Sequence, residues 1–368
     1  MSYFSKDLGA TDLQGNDIDP KVWSADIFTN GLEKNSLAGQ TGPVGSSALI
    51  QIDERLSAEP GSTITYPFVP YQKNKMILGN ETGIRKNASK LTEFGLPVNI
   101  HIVSASFARK GRVTGQRMVW NYREMAKKHL TRREVDYQED INFATMAGVS
   151  YTELEDVTAP HLAAANTTDR VSGDTRCIRS DGLSATVAVA AASSDNTALV
   201  AAMNTTDKAS TTLIEACLIQ ALENDPYIIQ PIMLENGDPV YVMYFSLRAA
   251  RDLKRDPLFE KYNLAKVTAG GGNDPFANSS FGQWENVLLK SSQRIISFGA
   301  SGNKFARNLF CGSEAVINIF GNLQGDYTEE IEDHMTDYSA ASATIRGESK
   351  VTFNGTDINI IQAITASN

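Results

Sequence analysis

RKGRVTGQRMVWNYREMAKKHLTRREVDYQEDINFATMAG, residues 109–148, is the stretch whose reading decides the fold. Between Thr114 and Ala147 it has no proline, and its only glycine is Gly115, at the very start. A helix over 114–147 would be roughly 50 Å long at about 1.5 Å rise per residue. Few compact domains hide a helix of that length. It either pairs with another helix or lies as a strut across a wide, thin subunit. Met118, Tyr122, Met125, Ala126 and His129 or Leu130 fall at helical spacing, and Tyr137, Ile141 and Ala144 continue the stripe. Thr114 is the expected N-terminal cap, with Arg117 where a capping box would carry an acid, and Gly148 is the expected stop. Glu124–Lys128 and Arg132–Asp136 are spaced as i,i+4 ion pairs, worth a few tenths of a kcal/mol each. Arg132 and Arg133 interrupt any a/d seam, so the pattern favours a strut over a coiled coil.

The same stretch concentrates charge. Residues 109–133 hold nine Lys/Arg against one Glu, a local +8 in a chain of net −9, which leaves −17 for the remainder. The helix face that carries Arg117, Arg123, Lys127, Lys128, Arg132 and Arg133 suits phosphates or an acidic neighbour. No aromatic platform accompanies it, which argues against sequence-specific nucleic-acid reading.

Working outward towards the N-terminus, Val98, Ile100 and Ile102 alternate in PVNIHIVSA, and Ile64, Tyr66 and Phe68 alternate in STITYPFV. Both read as half-buried strands. Pro67, Pro70 and Pro97 confine them to edges or ends. The segment between them, KNKMILGNETGIRKNASKLTEFG, is long, polar and glycine-bearing, and asks for a partner surface. ALIQIDERL (48–56) reads as structured. Residues 1–50 are an extended arm rich in Gly, Asp, Asn and Ser, with Trp23, Ile27 and Phe28 as isolated hydrophobes that gain order by docking elsewhere.

Working outward towards the C-terminus, 151–210 turns small and polar, and its alanine-rich part fits helix or buried strand equally. TTLIEACLIQALE (211–223) predicts a helix capped by Thr211 or Thr212, with Leu213, Ala216, Cys217 and Ile219 or Gln220 on one face. PVYVMYFSL (239–247) is apolar on both sides, as a central strand is. ARDLKRDPLFEKYN is helical but broken by Pro257, and WENVLLK, RIISF and EAVINIF are further strands or helices. An acidic segment, 326–337, leads to KVTFNGTDINIIQAIT, where Asn354-Gly355 is a two-residue hairpin turn.

Length and an apolar content of 42% suffice for two or three domains with a sizeable core. No apolar run of the roughly eighteen residues a membrane span needs occurs, and the first residues lack the pattern of a secretory signal. Cys177, Cys217 and Cys311, odd in number and far apart, read as buried thiols in a reducing compartment. No catalytic, metal or cofactor constellation emerges. GASGNK (299–304) lacks the Lys-Ser/Thr of a phosphate loop, the four histidines are scattered, and the acidic run around Glu329–Asp337 lacks the spacing of a calcium loop. The expectation is a protein that is not an enzyme and carries no cofactor.

These parts resemble the major capsid proteins of tailed bacteriophages with the Hong Kong 97 (Johnson) fold, in particular the N4-like group. KVWSADIF, ILGNETGI, GRVTGQRMVWNYREMAKKHL with DINFATMAG, VYVMYFSLRAARDLKRDP, NDPFANSSFGQWENVLLKS, LFCGSEAVINIFG and DYSAASATIRGESKVTFNGTDINIIQAIT carry the resemblance, in the order the family has them. It implies an α+β fold with an N-terminal arm (1–50), an E-loop with flanking strands (51–110), and a P-domain (111–210) holding the spine helix 114–147 and a small-residue insertion. An A-domain (211–325) would follow, and C-terminal strands (326–368) would return to the P-domain. The resemblance implies inter-subunit contacts by the E-loop tip, Ile77, Leu78, Gly79, Ile84 and Arg85, and by Trp23, Ile27 and Phe28 of the arm. It further implies hexamers and pentamers of the chain in an icosahedral shell, with portal, scaffold or decoration proteins as partners and double-stranded DNA held non-specifically. Assembly would take place in the bacterial host cytoplasm. Some members form an isopeptide link, for which Lys86 or Lys90 with Asn354 are the positions here. A tail tube or an encapsulin-like compartment is the competing structural class, and an enzyme or nucleic-acid module the competing functional one.

Overall fold

The computed structural model describes residues 37–53, 63–68, 94–109, 122–148, 176–181, 184–187, 203–223, 228–234, 237–268, 280–298, 304–321, 326–332, 337–353 and 356–367. Two sheets and one long helix organise them. The larger sheet has nine strands. Its path runs β10 (Ser280–Trp284), β11 (Val287–Ser291), β9 (Pro239–Phe245), β13 (Phe305–Cys311), β19 (Ile360–Ala366), β6 (Cys177–Asp181) and β7 (Ser184–Val187). Short β12 (Ser297–Phe298) adds to β13, and β8 (Ile232–Met233) adds to β9. All seven residues of β13 and of β19 are buried, as are six of the seven in β9. Near-continuous apolar strands of this kind need cover on both faces.

Both faces are covered. On one lie α2 (Thr211–Glu223), α3 (Leu247–Lys254) and α4 (Pro257–Thr268), whose Leu213, Cys217, Ala249, Leu253 and Phe259 pack on Met243, Phe245, Phe310 and Ile361. On the other, Val242, Tyr244, Leu309 and Cys311 meet Leu49, Ile50, Phe143 and Met146. Each Val, Leu, Ile, Phe or Met among them contributes about 1.5–3 kcal/mol by leaving water. The PVYVMYF segment is thus the central strand its pattern predicts. Pro257 breaks the following helix as expected: α3 is capped by Ser246, whose Oγ accepts from the Ala249 N–H at 3.2 Å, and α4 restarts at Pro257.

The smaller sheet has six strands, with path β1 (Thr41–Pro43), β2 (Ile50–Asp53), β14 (Val316–Phe320), β16 (Asp337–Lys350) and β15 (Asp326–Glu332), and with β5 (His101–Arg109) also on β16. The hairpin of β3 (Thr63–Phe68) with β4 (Phe94–Asn99) pairs in register from Thr63↔Asn99 to Phe68↔Phe94, as the alternation predicts. A Cβ at Gly347 would stand 2.6 Å from the Asn99 carbonyl oxygen, so glycine is what lets β16 pass the end of β4. The two-residue turn expected at Asn354-Gly355 fits the pairing of β17 (Thr352–Phe353) with β18 (Thr356–Asp357), where Phe353 faces Thr356. The turn residues themselves lie outside the described residues.

The long helix, α1, spans Tyr122–Ala147, about 39 Å at 1.5 Å per residue. Its expected first part, 114–121, lies outside the described residues. Of the expected stripe, Ala126, Leu130, Tyr137, Ile141 and Ala144 are buried and Met125 is half-buried, whereas Met118 and the Tyr122 side chain lie outside the described residues. Gly148 ends the helix at φ +71, its N–H reaching the Thr145 carbonyl at 3.1 Å.

Three expectations are corrected. First, the inward alternation Val98, Ile100, Ile102 stops at Ile100, and Ile102 is 71% exposed. The phase slips by one residue between β4 and β5, so that Ala105 and Phe107 take the inward face. Second, neither Thr211 nor Thr212 caps α2 from outside. Thr211 is its first residue, and its N–H and Oγ1–H donate to Asp256 Oδ2 at 2.9 and 3.0 Å. Third, Asp136 turns to Arg294 instead of Arg132, which is exposed. The C-terminal stretch 326–368 is divided between the two sheets. β15 and β16 join the six-stranded sheet, whereas β19 passes into the nine-stranded one, and β14 of the 211–325 stretch lies in the six-stranded sheet. Fully buried β19 needs a neighbour on each side and finds β13 and β6, the latter from the small-residue stretch 151–210.

Candidate assembly framework: the spine helix and its anchors

α1 touches both sheets. Its last turns sit in the core on the second face of the nine-stranded sheet, where Phe143 meets Tyr244 edge-on at 5.2 Å and Met146 lies 3.8 Å from the Cys311 sulfur. The Ala147 carbonyl, which has no partner within the helix, accepts from Gln362 Nε2 of β19 at 3.2 Å. One turn earlier, Asn142 Oδ1 accepts from Asn318 Nδ2 of β14 at 2.9 Å, tying the helix to the six-stranded sheet. Towards its N-terminal half, Ala126 and Leu130 pack on the β5–β16–β15 ribbon through Ala105, Phe107, Ala340 and Tyr327. The helix therefore joins one sheet to the other.

Between these apolar contacts the helix is held by two arginines far away in sequence. Arg346 of β16 is almost fully buried. It bonds Glu134 Oε1, donates to Thr344 Oγ1 at 3.0 Å, and lies over the rings of Tyr137 (4.8 Å) and Phe320 (5.5 Å). Glu348 stands 3.9 Å from Arg346 and 3.2 Å from His101, whose Nε2 is also 3.3 Å from the Tyr137 hydroxyl. Arg294, between β11 and β12, bonds Asp140 at 2.9 and 3.1 Å and Asp136 at 2.5 Å, with Glu139 at 3.5 Å. Burial opposes its charge, but Asp140, Asp136 and Glu139 together outweigh this and raise the Arg294 pKa above its ordinary value.

These arginines carry no local sequence signal. Arg294 and Arg346 are single basic residues in SSQRIISF and SATIRGES, and their partners are 154 and 212 residues distant. Of the basic face, Lys128, Arg132 and Arg133 are exposed and Lys127 is half-buried. Arg117 lies outside the described residues, and Arg123 is helical with its side chain outside them. The E-loop tip (Ile77, Leu78, Gly79, Ile84, Arg85), the arm residues Trp23, Ile27 and Phe28, and Lys86, Lys90 and Asn354 also lie outside the described residues. None of the three cysteines is in a disulfide and all are buried, and burial raises the Cys217 and Cys311 thiol pKa values well above their ordinary range. Among the described residues no group of His, Cys, Asp and Glu is arranged to hold a metal, and no helix is long and apolar enough to cross a membrane.

A long helix is welded into two sheets, with its polar middle clamped by distant arginines. The architecture is that of HK97-like phage capsid proteins. It superposes on the capsid of Ralstonia phage GP4 with a TM-score of 0.72, at 19% identity over 100% of this chain and 99% of that one. The Cyanophage Pam1 capsid gives 0.71, at 16% identity over 91% and 93%. The acid-stable capsid of Helicobacter pylori bacteriophage KHP30 gives 0.61, at 12% over 90% and 92%. The major capsid protein of Pseudomonas phage KPP25 is 23% identical over 370 residues, 94% of each chain. The family model for phage capsid protein matches residues 13–367, and the chain belongs to that family. It is a shell-forming protein of a bacteriophage, and the family is a structural one.

Proposed function

We propose that this chain is the major capsid protein of an N4-like tailed phage, and that its copies form hexamers and pentamers which close into an icosahedral shell around double-stranded DNA. The observation that supports this best is α1 itself, a strut anchored at one end in the nine-stranded sheet and along its length on the ribbon. A thin shell wall needs a subunit that is rigid along its long axis, and many modest contacts per copy then supply stability by multivalency. In this reading residues 1–50 are the arm, 51–110 the E-loop with its base hairpin β3–β4, and 111–210 the P-domain with the spine. Residues 211–325 supply the A-domain and 326–368 the closing strands. Trp23, Ile27 and Phe28, and the loop tip Ile77, Leu78, Gly79, Ile84 and Arg85, contact neighbouring copies. The exposed Lys128, Arg132 and Arg133, with Arg117, Arg123 and Lys127, face packaged phosphates without regard to sequence. Portal, scaffold or decoration proteins are the further partners, and assembly takes place in the host cytoplasm.

Replacing Leu78 and Ile84 by Asp tests the loop. The variant is expected to elute as folded subunits with native circular dichroism, while the parent chain elutes as particles. Shells of normal size and yield from the variant would remove the loop from the contact.

A further inference from the structure

The helical layer on the nine-stranded sheet has two unlike flanks. α2 covers the β19–β6–β7 side, and β7 is one edge strand of the sheet. α4 covers the opposite edge, where Phe259 packs on Phe281 and Trp284 of β10 and Tyr262 on Trp284 at 4.9 Å. Each helix buries one face and leaves large apolar side chains outside. On α2 these are Ile219 (53% exposed) and Leu222 (52%), and on α4 Leu258 (57%) and Tyr262 (39%). In each pair the spacing of three or four residues puts both side chains on one stripe.

The charges beside the two stripes are opposite. The only charged residues of α2 are Glu215 and Glu223. Among the described residues around the α4 stripe, Lys254, Arg255 and Lys261 are exposed against Glu260 and, beside Trp284, Glu285, a net positive charge. The nearby Asp252 and Asp256 are taken internally, Asp252 by Arg251 at 3.0 Å and Asp256 by Thr211 of α2 and the Leu258 N–H. One flank is thus apolar and acidic and the other apolar and basic, at opposite edges of a single rigid layer. Two identical acidic flanks repel, as do two basic ones, so a two-fold contact is disfavoured on either side. The acidic flank of one copy complements the basic flank of the next, and a repeated contact of that kind closes into a ring.

We propose that the α2 flank (Ile219, Leu222, Glu223) and the α4 flank (Leu258, Lys261, Tyr262) are the two halves of one head-to-tail contact between copies of this chain. The proposal rests on the shell reading and names the surfaces that set the order of subunits within its rings.

The test uses the full chain with Leu222→Cys and Leu258→Cys together, assembled and then oxidised. The native thiols are buried, so the introduced pair reports the contact. The expected result on a non-reducing gel is a ladder of covalent oligomers up to the ring size, absent from wild type and from either single variant. A cysteine-free arm uses charge. Lys261→Glu or Glu223→Lys alone should lower the yield of particles severalfold, and the double reversal should restore it. Particles that give no ladder, efficient homodimers of Leu258→Cys alone, or wild-type particle yield from both single reversals overturn the proposal. If the wild-type chain forms no particles even with the other head proteins of its phage supplied, the shell reading itself fails, and this contact fails with it.

Discussion

The nine-stranded sheet and the β5–β16–β15 ribbon are both covered by helix, yet they hold it by different means. The sheet packs helices on both faces through large apolar side chains, with Phe310 stacked on Tyr241 at 5.2 Å and three buried thiols within its strands and α2. The ribbon offers α1 mainly small residues, Ala105 and Ala340 among them, and makes up the difference with Arg346 and its carboxylates. Apolar burial is non-directional, whereas a buried guanidinium between named acceptors fixes one register. The sheet is therefore the source of stability, and the ribbon is where the strut is given its position.

Deleting the ribbon's buried charge is the largest break this comparison offers. Arg346→Ala leaves Glu134 and Glu348 without their cation and should destabilise the unassembled subunit by about 3–5 kcal/mol, read from urea unfolding. Arg346→Met, which keeps the volume and removes the charge, would cost as much only if the carboxylates dominate over packing on Tyr137 and Phe320. In the sheet, Leu253→Ala should cost about 2–5 kcal/mol through the cavity it leaves, with no dependence on salt. A clear salt dependence there would blur the distinction drawn between the two regions.

The half-exposed Arg294 clamp is expected to matter less. Arg294→Gln should cost about 0.2–1 kcal/mol, and the difference from wild type should shrink in high salt as the exposed pairs are screened. The mildest test is alkaline. Burial raises the pKa values of Cys217 and Cys311, and likewise of Tyr241 and Tyr244. Groups with raised folded pKa values favour the folded state below their unfolded values, and that contribution is lost as pH rises beyond them. The melting temperature should therefore hold up to about pH 8.5, where free thiols begin to titrate, and fall steadily above it. Replacing Cys217 and Cys311 by Ala should shift the onset towards pH 10, where tyrosine takes over.

What could be read from sequence was what is local. An unbroken 3.6-residue stripe gave the spine and Gly148 its end, two-sided burial gave β9, and Asn354-Gly355 gave the last hairpin's pairing. What could not be read depends on residues brought together over long separations. The Asp256 carboxylate receives the start of α2 from 45 residues away, and β19 reaches the nine-stranded sheet because two buried edges needed it. Ile102 was misjudged because a one-residue slip between β4 and β5 leaves no trace in composition. For the anchors, a lone Arg, in a strand of small residues for Arg346 and between two strands for Arg294, is the hint, and it does not name its partner.

The most direct measurement is cryo-electron microscopy of the purified full chain after size-exclusion chromatography. The account predicts closed, regular shells tens of nanometres across, or discrete hexamers and pentamers, with α1 lying in the plane of the shell wall. A chain that stays monomeric or dimeric even with the other head proteins of its phage supplied, or a shell in which α1 stands across the wall, would contradict it.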